Sequence, residues 1–304
     1  MAKVVISSVK QVLEIIEELS ETYETSPIVK NPTTMRFVFR GVSDEQYSLL
    51  PNVLRKVSNK TGDRIDSTPK YVWGREDVIL SSFIAEASSV IKDILPSERN
   101  KWAEYAQHFG VPTRYLDWTK NPLIALYFAC CCSSKADEET DAALWVLHAP
   151  NYGNYYNQKN NEMSNASKYK DKKISEKINL LLLGEPAFDY PLIYQPYYVD
   201  PRMVAQSSFF MVWGNKEEPL EDMIAPENLM LFSNKIKSAR CFSATQYDQF
   251  LLKITISKSE KYKIIRQLDM LGINEKTLFP GLDGIGKYLE RKYRFDYSQL
   301  DSLC

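Results

Sequence analysis

Helical and strand periods are interleaved along this chain without the strict strand–helix–strand rhythm of a parallel α/β sheet. Residues 8–21 place Val9, Val12, Leu13, Ile16 and Leu19 three or four apart, the stripe of an amphipathic helix. Residues 35–41 (MRFVFRG) alternate instead, as a strand ending at glycine does, and put Arg40 on the face of Val38. Helical spacing returns over residues 74–95 and again over 98–109, where Gly110 closes the helix. Asn121-Pro122 is an N-cap and first-turn proline for a third helix, and residues 142–148 read as a strand. Further on, 174–183 suits a helix, 192–199 a Tyr-rich strand and 208–213 a buried strand, with Asp200-Pro201 as a second cap pair. Residues 250–256 alternate as a strand. Ser257 and Glu260 have the spacing of a capping box for a helix stopped by Gly272, and a last helix is expected over 285–294. This order predicts an α+β fold, with antiparallel sheets forming a cleft and helices packed outside.

Residues 152–173 are crowded with Asn, Lys, Ser and Tyr and almost lack aliphatic side chains, so they are expected to form a surface insertion. There is no internal repeat and no Gly/Ser or Pro-rich linker, which favours one domain carrying that insertion. The formal net charge of −1 excludes a global basic field of the kind that holds nucleic acid or membranes. Acidic residues interrupt the N-terminal apolar run early, so neither a signal sequence nor an anchor is expected there, and the expected location is cytoplasmic. The cysteines at 130, 131, 132, 241 and 304 are odd in number and lack CxxC spacing; they read as reduced thiols.

No GxSxG, Walker, HExxH or dinucleotide fingerprint occurs, and two histidines, His108 and His148, make a histidine metal centre an unexpected outcome. The segment QHFGVPTRYLDWT at residues 107–119 does stand out, because it crowds His108, Thr113, Arg114, Asp117 and Thr119 between a helix end and a helix start. Asp117 could orient Arg114 or His108 by a charge-assisted hydrogen bond, and Thr119 precedes a helix start where an anion could meet backbone amides. Equally, these groups could satisfy one another in a buried turn. Arg40 could be an ordinary strand arginine, although Gly41 beside it permits a close backbone approach such as a ligand makes. Gln206 could be an interior amide bonded to backbone.

Three blocks together resemble the FRG domain: Phe39-Arg40-Gly41, QHFGVPTRYLDWTKNPLIALYFA at residues 107–129 and DPRMVAQSSFF at 200–210. LFPGLDGIGKYL at residues 278–289 is similar to the C-terminal portion of the same family, so the resemblance covers 35–295, after an N-terminal helix and linker (1–34) and before a short tail (296–304). Such domains occur in bacteria and phages, some in phage-defence settings. A weaker resemblance to ADP-ribosyltransferases implies NAD as substrate and no metal. In that likeness Arg40, Gly41, His108, Thr113 and Arg114 would hold the nucleotide, and Gln206, Thr119 and Asp117 would carry the chemistry. Gln206 stands where those transferases usually have a glutamate; an amide bonds hydroxyls but brings no charge. A carboxylate from elsewhere, Asp117, Glu217 or Glu218, could replace it. The implied roles are therefore an NAD-using transferase or glycohydrolase acting as a toxin or defence effector on a protein or nucleic-acid acceptor, a nucleotide-binding module without turnover, or a protein-interaction scaffold.

Overall fold

The computed structural model describes residues 4–24, 37–58, 64–69, 71, 76–131, 138–159, 172–196, 198, 200–224, 229–231 and 250–293. Its strands are β1 (Val5–Ile6), β2 (Phe37–Val42), β3 (Lys56–Ser58), β4 (Arg64–Pro69), β5 (Tyr115–Thr119), β6 (Ala142–His148), β7 (Leu192–Tyr194), β8 (Ser208–Val212), β9 (Leu229–Leu231) and β10 (Leu251–Ile256). The helices used below are α1 (Val9–Glu24), α2 (Glu76–Ala87), α3 (Arg99–His108), α4 (Pro122–Cys130), α5 (Ala149–Lys159), α6 (Lys172–Leu181), α7 (Pro201–Ala205), α8 (Leu220–Met223), α9 (Lys261–Met270), α10 (Glu275–Leu278) and α11 (Leu282–Tyr293).

Eight strands form one mixed sheet in the order β1-β10-β6-β2-β5-β8-β7, with β9 also paired to β10; β3 and β4 form a separate ribbon. β1 and β9 run parallel to β10, and the other pairings in the large sheet are antiparallel. The expected α+β class with a largely antiparallel sheet is therefore present, as one sheet that opens in its middle. β2 pairs along its whole length with β6, from Phe37↔His148 to Val42↔Ala143, but meets β5 at the single position Phe39↔Thr119. Because side chains alternate across a strand, Phe39 packs in a core with α1, α4 and α9, while Val38 packs in a second core with Trp118, Trp145 and Trp213. A third core joins α2, α3 and α6 to Tyr115, Tyr194, Phe210 and Val212.

Several sequence expectations change. The helix expected over 74–95 stops at Ala87, where the Ser88 and Ser89 hydroxyls donate back to the carbonyls of Ile84 and Glu86 and turns follow. The expected 192–199 strand is β7 alone; Pro196 lacks the N–H that would continue a ladder, and residues 197 and 199 lie outside the described ones. Residues 152–159, expected as part of a surface insertion, belong to α5, and Tyr152 and Tyr156 are each 1% exposed. Their hydroxyls donate to the carbonyls of Pro191 (2.7 Å) and Met223 (3.2 Å), and their rings gather with Phe250. Aromatic area thus replaces the missing aliphatics; residues 160–171 lie outside the described ones. Ser257 forms no capping box: its hydroxyl pairs with Ser259 and a 3-10 turn precedes α9. A reciprocal box forms instead between Asn274 and Thr277 at α10. α11 begins at Leu282, earlier than the expected 285. Cys130 and Cys131 are free thiols; Cys132, Cys241 and Cys304 lie outside the described residues. No described helix is long and apolar enough to cross a membrane.

Gly41 has a use other than a ligand's close approach. A Cβ there would stand 1.8 Å from the Ala125 carbonyl oxygen and 2.5 Å from the Ala129 nitrogen, so α4 lies directly on the β2 backbone. Gly41→Ala is expected to cost about 3 kcal/mol by overpacking, read as a lower denaturant midpoint at unchanged slope; a loss below about 1 kcal/mol would contradict the contact.

The third core also buries Glu104, which is 0% exposed. Burial raises its carboxyl to about 8, the Tyr194 hydroxyl pulling slightly the other way. Unfolded, the group ionises near its ordinary value of 4.5. Between those two values the unfolded chain has lost a proton that the folded chain keeps, so stability falls as pH rises and levels off above about 8. Glu104→Gln should flatten this decline, raising the melting temperature at pH 8 more than at pH 5; equal changes at both would contradict the burial of a neutral acid.

Candidate functional site

The opening between β2 and β5 becomes a cleft of about 410 Å³, within the usual size of small-ligand sites. By alternation Arg40 leaves β2 on the Val38 side, and its guanidinium donates to the Asp117 carbonyl oxygen on β5. A side chain thus closes the gap where the ladder between the two strands ends. Burial lowers the Arg40 guanidinium to about 10, with Asp117 raising it and Arg55 lowering it. At neutral pH it remains a cation.

Asp117 is the one exposed residue in an otherwise buried β5, and its carboxylate faces the cleft. It accepts from the Gln107 side chain at 2.7 Å, and Gln107 in turn accepts from the Thr113 hydroxyl at 2.6 Å. Crowding by protein raises the Asp117 carboxyl above its ordinary value, while Arg40 and Gln107 favour the charged form. At the C-terminus of α3, His108 lies 3.2 Å from Asp200 through Nε2. Asp117 therefore orients neither His108 nor Arg114 as the sequence suggested; it serves Gln107 and Arg40.

Arg40, Gly41, His108, Asp117, Thr119 and Gln206 all line this one cleft. Thr113 and Arg114 do not. Thr113 is buried behind Gln107, and Arg114 pairs with buried Glu76 while also donating to the carbonyls of Trp213 (3.3 Å) and Gly214 (3.2 Å). Through Nε and Nη1 the Arg114 guanidinium ties α2 to the strand ends, outside the cleft lining. Thr119 and Gln206 reach the cleft but brace its wall: the Thr119 hydroxyl donates to the Gln206 carbonyl at 2.7 Å, and the Gln206 amide donates to the Leu278 carbonyl at 3.1 Å. The α4 amides expected to meet an anion are also occupied, because Asn121 accepts from Leu123 N and Thr119 Oγ1 accepts from Asn121 N.

Sequence reasoning missed Arg55, Arg202, Trp118, Phe128 and Phe279, which also line the cleft. Arg202 was visible inside the DPRMVAQ block, one residue past a helix-starting proline. Its guanidinium carbon lies 5.1 Å from the centre of the Phe279 ring, and that ring meets Phe128 edge-on at 6.2 Å. Arg40 Nε, Arg202 Nε and Trp118 Nε1 are buried donors with no acceptor among the described residues. Three lining residues thus hold buried N–H groups whose hydrogen-bonding capacity is unmet among the described residues. Among the described residues no group of three or more His, Cys, Asp or Glu side chains is placed to hold a metal ion.

Residues 35–138 match the FRG-domain family model, so the chain carries an FRG domain there. That stretch runs from β2 through α4 and brings Arg40, His108, Asp117 and Thr119; Arg202, Gln206 and Phe279 join the cleft from beyond it. No curated protein and no solved structure matches the chain.

The two arginines differ in kind, and stability measures the difference. Arg114→Ala takes the cation from buried Glu76, which among the described residues keeps only the backbone N–H of residue 114, and is expected to cost about 3–5 kcal/mol, whereas Arg40→Ala, which removes the hydrogen bond to the Asp117 carbonyl, should cost about 1 kcal/mol. Equal losses in urea unfolding would contradict this division.

Proposed function

We propose that the cleft binds NAD and that the protein consumes it, as an ADP-ribosyl transferase or NAD glycohydrolase. The observation that carries this reading is the set of buried, acceptor-less donors on Arg40, Arg202 and Trp118 in a cleft that also holds one exposed carboxylate, Asp117. Arg40 and Arg202 would grip the pyrophosphate, since guanidinium forks match phosphate oxygens and are weakly hydrated. Phe128 and Phe279 supply ring faces and edges for a base. Asp117 would take the part of the glutamate that Gln206 does not supply, stabilising positive charge on the ribose as nicotinamide leaves. The setting of a toxin or phage-defence effector rests on the family likeness alone.

A second reading, nucleotide binding without turnover, is favoured by one feature: the Thr119 hydroxyl and the Gln206 side-chain nitrogen both bond the cleft wall. Chromatographic detection of nicotinamide separates the two. Turnover predicts release by the wild type, a loss of about 10- to 100-fold in kcat/KM with Arg40→Ala and near-abolition with Asp117→Asn. Binding alone predicts a rise in melting temperature with NAD, absent in Arg40→Ala, and no nicotinamide. Neither release nor thermal shift would overturn both. Growth arrest on expression, relieved by Arg40→Ala, is the outcome expected of a toxin; arrest that persists would locate toxicity elsewhere.

A further inference from the structure

His108 has no part in the chemistry above, yet it is the only described histidine in the cleft and has its own carboxylate. Its Nε2 is 3.2 Å from Asp200 Oδ1. The same Oδ1 accepts from Arg202 N at 2.7 Å, so Asp200 is the N-cap of α7 and is fixed in place by the helix it starts. Phe109 meets the imidazole edge-on at 5.0 Å. With a carboxylate at Nε2, that nitrogen carries the proton and Nδ1 keeps the lone pair. An imidazole oriented by an acid beside a reaction cleft is the arrangement of a positioned base.

We propose that His108 is the general base of the cleft, set in its Nε2–H tautomer by Asp200, and that it takes the proton from the hydroxyl that attacks the NAD ribose. This rests on the NAD reading. In the step, the O–H proton passes to His108 Nδ1 and the oxygen bonds to ribose C1′. The C1′–N bond breaks, and its electron pair passes into the pyridinium ring, which leaves as neutral nicotinamide. A base at this place suits a hydroxyl acceptor, of water or of a macromolecule; a carboxylate acceptor would need none. The charged groups facing the ring are Asp200, Arg202 and Asp117. Burial lowers the imidazole below its ordinary 6.5, with both carboxylates raising it and Arg202 lowering it. It is neutral, and so basic, at pH 7.

Asp200 acts through His108 and is a positioning residue. The test measures nicotinamide release from NAD by the full chain, with water as acceptor. His108→Gln should lower kcat by about 100-fold or more while KM stays near the wild-type value. Asp200→Asn keeps the helix cap but removes a charge that raises the imidazole, so the acid limb of the pH profile should move to lower pH; a purely structural role would leave it in place. The chain has two histidines, so nitrogen-15 imidazole spectra, with His148 as the other signal, read the tautomer directly. Turnover undiminished in His108→Gln, an unmoved acid limb in Asp200→Asn or an Nδ1–H tautomer at His108 overturns the inference and leaves the NAD reading standing. A wild type that releases no nicotinamide overturns turnover, and the inference with it.

Discussion

Everything about the cleft depends on β2 and β5 meeting at one residue pair and then parting. Had the ladder continued past Phe39↔Thr119, the sheet would be closed and Arg40 would lie flat on it. Instead the Arg40 guanidinium reaches the Asp117 carbonyl and takes the place of a backbone donor. That use leaves Nε buried without an acceptor. One side chain therefore both bridges the two strands where their ladder ends and keeps a buried N–H without an acceptor among the described residues.

The surrounding structure makes this arrangement rigid. α4 rests directly on Gly41, which fixes β2, and Arg114 with Glu76 fixes the start of β5. The Thr113–Gln107–Asp117 relay sets the carboxylate, and Thr119 with Gln206 ties β5 to the turn before β8. Ser207 in that turn takes a positive φ of 49°, uncommon for a residue with a Cβ and tolerated here because its carbonyl accepts from Lys120 N, beside the Thr119–Ser208 register pair. Much of the polar inventory near the cleft is therefore scaffold, and the ligand contacts proposed above fall to the arginines, Trp118, Asp117 and His108.

Local signals were legible where one segment decides the outcome. Asn121-Pro122 and Asp200-Pro201 cap helices as their residue types require, and β6 occupies residues 142–148, where a strand was expected. The crowding at residues 107–119 pointed to a segment that lines the cleft but not to the partners within it. Whether Asp117 meets His108, Arg114 or Gln107 depends on strand register and helix direction, which no spacing records. Arg114 looked like a ligand residue because its counter-ion, Glu76, lies far away in sequence. α5 was missed because its core contacts are tyrosines, whose buried rings read as polar letters.

The central claim is that the unmatched donors of the cleft await phosphate. Arginine Nε and tryptophan indole N–H signals, followed by nitrogen-15 NMR as NAD is added, report on those atoms directly. The account predicts that the Arg40 and Arg202 Nε–H and Trp118 indole signals shift together and exchange more slowly with water at saturation. Unmoved signals at all three, with NAD at millimolar concentration, would contradict it.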